Sequence, residues 1–307
     1  MKYIGRFAPS PTGPLHFGSL VAAVASFLDA RAHDGIWLIR MEDVDSTRCK
    51  APFADDILRA LAGFGLVGDR EVLYQSRRTI RYQAALDQLS ASGRVYACAC
   101  SRREVADSTV DGIDGPVYAG TCRDKGLTAE GNALRVRTAP GEICFTDRVQ
   151  GRCCQSVNSE IGDFVLKRRD GLFAYQLAVV VDDADQGVNH IVRGADLIDS
   201  TARQIHLQRL LGLPTPEYLH IPVVTNAAGQ KLSKQTLAPA IGAADACRLL
   251  RDALAHLGQS LQGPAYFAYA TPAELLAIAA QSWKVDRIPK HRTRDIRSSC
   301  LGANPFT

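Results

Sequence analysis

Residues 6–20 read RFAPSPTGPLHFGSL, three prolines and two glycines set between a short apolar start and a run with helical spacing. Lys2–Phe7 predicts a short buried strand, and Ala8–Pro14 cannot be helical because its prolines lack the N–H that a helix needs. Phe17–Ala32, FGSLVAAVASFLDARA, is apolar at helical spacing and predicts a helix. Strand, tight loop and helix together predict a parallel α/β sheet of the Rossmann type. The loop then lies at the carboxyl end of the first strand, where ligands bind and the helix N-terminus offers unpaired N–H groups to phosphate. Gly13 and Gly18 allow a close backbone approach, and His16 sits where an imidazole can meet a nucleotide phosphate. Taken alone, the stretch is better read as a proline-rich turn with a surface histidine, so distant segments must decide.

The deciding partner is GQKLSKQ, residues 229–235, which follows the apolar run YLHIPVVTN. Lys231 and Lys234 bracket Ser233 in a basic loop able to clamp a triphosphate. A solvated surface loop is the plain alternative for such a pattern taken singly. The bulk properties bound the answer without giving it. With 307 residues, 46% of them hydrophobic and 22% charged, the chain can bury a full core and carry smaller modules. No apolar run is long enough for a signal peptide or a membrane span, which predicts a cytoplasmic protein with no membrane partner. A net charge of +4 leans toward polyanions, and nothing in the sequence calls for an obligate protein partner.

The nine cysteines are an odd count, better read in this context as thiols or metal ligands than as a disulfide framework. Cys98, Cys100 and Cys122 flank a loop within the segment 96–169, and a C-x-C start with a third thiol is a moderate zinc signal. Cys144, Cys153 and Cys154 compete for the fourth position, and ordinary buried thiols are the plain alternative for the whole set. The rest of that segment alternates as strands do, with Arg169-Asp170-Gly171 as a hairpin turn. The expected organisation is a first nucleotide-binding half over 1–95, a mixed α/β insertion over 96–169, a second half over 170–236 and a helical appendage over 237–307. In the appendage, Thr271-Pro272 reads as a helix cap and first residue, and Lys284–Arg297 carries six basic residues against two acidic ones. Such a tail is commonly solvated, and RNA contact is the competing reading.

His16-Phe17-Gly18-Ser19 and Lys231-Leu232-Ser233-Lys234-Gln235 together resemble the HIGH and KMSKS motifs of class I aminoacyl-tRNA synthetases. With RFAPSPTG, LIRMEDVDSTR at 38–48, DGLFAYQLAVVVDD at 170–183 and HIVRGADLIDST at 190–201, the resemblance narrows to the glutamyl-tRNA synthetase catalytic domain over about residues 3–236. Departures narrow it again. About seventy residues follow Lys234, too few for the anticodon-reading half of ordinary glutamyl enzymes. Gln176 follows the tyrosine where histidine is usual, Arg193-Gly194-Ala195-Asp196 replaces RGED, and Gln235 closes the lysine loop. These features resemble the shortened glutamyl-queuosine tRNA(Asp) synthetase branch.

That resemblance implies L-glutamate, ATP with Mg²⁺ and queuosine-containing tRNA(Asp) as partners, and tRNA-independent activation of glutamate. It implies a glutamate site of Arg6, Phe7, Ala8, Pro9, Ser10, Glu42, Tyr175 and Arg193, with His16, Gly18, Lys231 and Lys234 on ATP. Chemically this is coherent, because two guanidinium forks can hold carboxylate while Glu42 receives an ammonium. The branch also implies one structural zinc on Cys98, Cys100, Cys122 and Tyr118. Asp182 and Asp183 look like a metal pair, but the resemblance makes them structural. Two alternatives remain: a truncated glutamyl-tRNA synthetase charging the 3′ end of tRNA(Glu), and a non-catalytic glutamate- or RNA-binding paralogue.

Overall fold

A computed structural model describes residues 1–107, 111–112, 115–226, 228–232, 241–259 and 271–295. The first half runs β1 (Ile4–Phe7), α1 (Phe17–Arg31), β2 (Ile36–Met41), α2 (Ala51–Gly63), β3 (Leu73–Tyr74) and α3 (Thr79–Ala91). Next come β4 (Val95–Cys98), α4 (Arg102–Asp107), β5 (Asp111–Gly112), β6 (Gly115–Pro116), β7 (Ala133–Val136), β8 (Ile143–Asp147), β9 (Gly151–Gln155), α5 (Val157–Glu160) and β10 (Val165–Lys167). The chain continues through α6 (Tyr175–Asp185), β11 (His190–Gly194), α7 (Ile198–Leu211), β12 (Glu217–Ile221) and β13 (Val223–Thr225), then α8 (Ala246–His256), α9 (Pro272–Gln281) and β14 (Thr293–Asp295).

The expected strand–loop–helix is present, with β1 parallel to β2 and Phe7 opposite Ile39. β11 runs parallel to β12, and the β8–β9 hairpin, drawn from the middle of the 96–169 segment, extends that sheet in the order β11-β12-β8-β9. Asn189 fastens β11 to β1, its backbone N–H donating to Ile4 O (3.1 Å) and its side-chain oxygen accepting from Ile4 N (2.8 Å). The carboxyl ends of β1 and β11 therefore open side by side, which is where a doubly wound sheet binds its ligand.

Alternation along β2 assigns each residue to one of two cores. Trp37, Ile39 and Met41 join the apolar faces of α1, α2, α8 and α9, while Leu38 joins those of α3, α6 and α7. Burying each leucine or isoleucine contributes about 1.5–3 kcal/mol, so the two layers clamp the sheet from both sides. Arg40 shares the Leu38 face and would be costly there without a counter-charge; Asp183 on α6 supplies it at 2.7 Å.

The C-terminal part departs from a purely helical appendage. Thr271 and Glu274 form the expected capping box at the start of α9, but β14 pairs in parallel with β13 and so ties the basic segment to the body. Arg294 donates to Ala255 O (3.1 Å) and Arg292 lies 3.4 Å from Asp199, while Arg297 is outside the described residues. Buried Asp29 on α1 knits three distant regions, accepting from Tyr3 Oη (2.6 Å), Trp283 Nε1 (2.9 Å) and Arg148 Nη1 (2.5 Å).

Cys144 and Cys154 face each other across the β8–β9 hairpin and form a disulfide. This corrects the expectation that these cysteines are thiols or competing metal ligands; the antiparallel register, invisible in the spacing of ten residues, brings the two sulfurs together.

Two buried histidines set the acid flank of stability. Burial pushes His220 and His256 down from 6.5 to about 4. The unfolded chain therefore takes up protons between those values and the folded chain does not, so stability is full above about pH 6.5 and is lost as the pH falls toward 4. Thermal unfolding is expected to shift down by roughly 5–10 °C between pH 7.5 and pH 5. A flat or rising Tm over that interval would show that these imidazoles titrate normally in the fold.

Candidate active site

A cleft of about 480 Å³ opens over the ends of β1, β2 and β11. Arg6, Phe7, Ala8, Pro9, Ser10, His16, Gly18, Glu42, Tyr175, Arg193 and Lys231 all line it, so these sequence-predicted site residues converge from five separate segments. Lys234 lies outside the described residues, as do Ser233 and Gln235.

Each charged wall of the cleft is held from behind. Arg6 donates through Nε to Asp183 Oδ1 (3.1 Å), and its η nitrogens make no hydrogen bond among the described residues. Arg40 donates to Asp183 (2.7 Å), Gln186 (2.9 Å) and Glu42 Oε1 (3.2 Å), so one fully buried guanidinium orients both carboxylates. Burial alone would raise the Asp183 carboxyl, but Arg40 and Arg6 hold it below the usual carboxylate range. Glu42 is the opposite case: burial raises it despite Arg40 and Arg6, so it is poised to gain from a cation arriving in the cleft. The tight loop is stitched to β2 by Glu42 N donating to Pro9 O (2.9 Å).

Tyr175 opens α6 at the cleft wall, its hydroxyl without a hydrogen bond among the described residues and its phenol pushed up by burial. Arg193, near the end of β11, is anchored through Nε and Nη2, while buried Nη1 has no partner among the described residues. Asp182 and Asp183 do not form a metal pair. Asp182 accepts from Gln75 (2.8 Å), Tyr82 (2.7 Å) and Arg78 (2.6 Å), on the other side of α6 from the Arg6–Asp183 contact. Gln176, placed where histidine is usual, donates to Ser200 Oγ (3.1 Å) and accepts from Gln204 (3.0 Å).

The nucleotide end of the cleft forms where α1 begins. His16 caps the helix, Nδ1 accepting from Ser19 N at 3.3 Å. A Cβ on Gly18 would sit 3.3 Å from His16 Nδ1 and 3.4 Å from Leu232 O, so a larger residue would press on both the histidine and the lysine loop. The two motifs, more than two hundred residues apart in sequence, are thus packed against each other. Lys231 Nζ lies 2.5 Å from Asp196 Oδ2. Sequence reasoning missed Asp196 and Arg40 as site residues. Arg40 carried a readable signal, a cation inside an apolar strand two residues before Glu42 and therefore on the same face.

A second cluster lies in the 96–169 segment. The Cys98, Cys100 and Cys122 sulfurs all lie within 4.8 Å of one another, and Tyr118 Oη sits 3.2 Å from Cys98 Sγ and 3.6 Å from Cys100 Sγ. Four tetrahedral ligands with bonds of about 2.3 Å are about 3.8 Å apart, so the three thiols and the phenol are spaced to hold one ion. Burial raises the Cys122 thiol, but hydrogen bonding from Tyr118 and its other neighbours brings it down to about 7, toward the thiolate that a metal requires. Gly162 makes the arrangement possible: φ is +74°, and a Cβ there would lie 2.3 Å from Tyr118 O.

The sheet, the cleft at its switch point and the packed histidine and lysine motifs define a class I synthetase catalytic domain, and residues 3–257 match the family described as tRNA synthetases class I (E and Q), catalytic domain. The chain belongs to the glutamyl-Q tRNA(Asp) synthetase family within that class. It is 54% identical over 290 residues to the glutamyl-Q tRNA(Asp) synthetase of Thiobacillus denitrificans, covering 94% of this chain and 95% of the relative. It is 58% identical over 264 residues to that of Cupriavidus metallidurans, covering 84% and 85%. Among solved structures, it shares its fold with the glutamate-tRNA synthetase from Elizabethkingia anophelis (TM-score 0.75, 22% identity, 95% of this chain and 67% of that one). The same holds for a glutamate tRNA ligase from Elizabethkingia meningosepticum (TM-score 0.77, 21% identity, 97% and 68%). Among the described residues, no helix is long and apolar enough to cross a membrane.

Proposed function

We propose that this protein activates L-glutamate with ATP and transfers it to the queuosine base of tRNA(Asp). The observation that carries the glutamate reading is the charge of the cleft wall. Arg6, Arg193 and Lys231 face Glu42 and Asp196, which leaves one positive charge for a substrate bearing one net negative charge. Arg6 and Arg193 would hold carboxylate oxygens, Glu42 the ammonium, and Tyr175 a further polar atom, with Phe7–Ser10 forming the floor. Names of the curated relatives support queuosine tRNA(Asp) as acceptor.

The chemistry then follows from what must be stabilised. The glutamate α-carboxylate attacks the α-phosphorus of ATP, the bond to the β-phosphate oxygen breaks, and pyrophosphate leaves with the electron pair. His16, the amides at the start of α1, Lys231 and Lys234 would offset the charge growing on phosphate oxygens, and Mg²⁺ bound to the phosphates would neutralise part of it. A hydroxyl of the queuosine cyclopentene ring next attacks the activated carbonyl and AMP leaves. No covalent enzyme intermediate is needed, so positioning carries the catalysis.

Arg6, Glu42 and Arg193 are braced by side chains of the protein itself, Asp183, Arg40 and residues of β12 and α7, and this supports a glutamate pocket that does not depend on RNA for its shape. ATP–pyrophosphate exchange dependent on glutamate is therefore expected without any tRNA. Exchange that appears only on addition of tRNA(Glu) would instead favour the truncated glutamyl-tRNA synthetase reading.

The same proposal includes one structural zinc on Cys98, Cys100, Cys122 and Tyr118, supported by the convergence of those four atoms and by the softness of thiolate ligands. Purified protein is expected to hold about one zinc per chain, and Cys98→Ser to lose it together with protease resistance of the 96–169 segment. Metal-free protein whose stability is untouched by Cys98→Ser would remove the site.

A further inference from the structure

Among the described residues, Arg193 reaches the cleft with one of its three nitrogens uncommitted. Nη2 donates to Thr201 Oγ1 at 2.9 Å, Nε donates to His220 Nε2 at 3.0 Å, and Nη1 is buried without a partner among the described residues, in an arginine that lines the glutamate pocket. A guanidinium has no acceptor, so His220 Nε2 must present a lone pair and the imidazole proton must sit on Nδ1. Among the described residues that proton has one recipient, Asp147 Oδ2 at 2.7 Å. Asp147 is fixed in turn, since Oδ1 accepts from the backbone N–H groups of Gln150 (2.8 Å), Val149 (3.0 Å) and His220 (3.2 Å). Asp147 and His220 are both fully out of solvent as side chains. Around the imidazole, β11 contributes Arg193, α7 contributes Thr201, β8 contributes Asp147 and the ring of Phe145, and β12 contributes the stacked ring of Tyr218.

We infer that Asp147 and His220 are positioning residues for the glutamate site, locking the imidazole tautomer that accepts from Arg193 Nε and thereby aiming Nη1 at the substrate carboxylate. The inference rests on the reading of the cleft as a glutamate pocket, and it assigns the β8–β9 turn a part in amino-acid recognition. If the contact is lost, Nε is left buried without an acceptor and the guanidinium is free to rotate away, so the effect falls on glutamate binding. ATP binding is made by other residues and is spared.

The test is pyrophosphate exchange by the full chain with glutamate and ATP varied separately. His220→Leu keeps bulk but offers no acceptor, and is expected to raise the KM for glutamate about 10–100-fold with the KM for ATP within about twofold. His220→Gln, whose side-chain carbonyl can accept from Nε, is expected to recover most of that loss. A wild-type glutamate KM in His220→Leu, or equal rises for both substrates unrelieved by glutamine, overturns the assignment. Should His220→Leu not fold, imidazole ¹⁵N spectra of the wild-type protein decide: a neutral Nδ1–H tautomer down to about pH 5.5 is expected, and an Nε2–H tautomer or imidazolium overturns it. Absence of glutamate-dependent exchange in the wild type, with that Nδ1–H tautomer present, would instead count against the glutamate pocket itself.

Discussion

Arg193→Ala is expected to lower kcat/KM for glutamate in pyrophosphate exchange by about 10²–10³-fold, with the KM for ATP little changed. The magnitude follows from where the guanidinium lies. A charge-assisted hydrogen bond contributes about 1.5–3 kcal/mol, and a carboxylate deprived of the buried Arg193 guanidinium loses that bond together with its counter-charge. The substitution also leaves His220 Nε2 and Thr201 Oγ1 without their donor, but both can accept from a water filling the space vacated by the side chain. Arg193→Lys is expected to recover less than about a tenth of the loss, because the donors of one ammonium sit on a single atom and cannot occupy the separate Nε, Nη2 and Nη1 positions of the fork. Near-normal kcat/KM in Arg193→Ala would mean that the carboxylate binds elsewhere in the cleft.

The parts of this account that were legible in sequence are those set by local chemistry. Three prolines forbid helix over 8–14, Thr271 with Glu274 three residues on marks a helix start, and Arg169-Asp170-Gly171 turns with Arg168 N donating to Leu172 O at 2.8 Å. Arg6, Glu42, Tyr175 and Arg193 also meet in one cleft as their motifs suggested. What escaped depends on register and on distant partners. The disulfide exists because Cys144 stands opposite Cys154 in an antiparallel ladder, and β14 exists because three residues within the basic segment, Thr293–Asp295, find the edge of β13. Neither leaves a periodic mark in so short a segment. Asp182 and Asp183 read as a metal pair because adjacency is visible in sequence, whereas their opposite partners on α3 and on the Arg6–Arg40 side are not. The Asp147–His220–Arg193 chain likewise joins residues 73 and 27 positions apart, with no pattern linking them.

The acceptor is where the account is most exposed, and its expected effect is close to all-or-none. An ester to a queuosine hydroxyl requires a ring that unmodified tRNA(Asp) lacks and that the 3′ terminus of tRNA(Glu) cannot supply. The decisive measurement is therefore incorporation of labelled glutamate into queuosine-containing tRNA(Asp), the same tRNA without its 3′-terminal adenosine, unmodified tRNA(Asp) and tRNA(Glu), all with ATP and this protein. Label on the first two alone is the predicted result. Label on tRNA(Glu) that disappears when its 3′-terminal adenosine is removed would contradict the account and make the protein a shortened enzyme of ordinary aminoacylation.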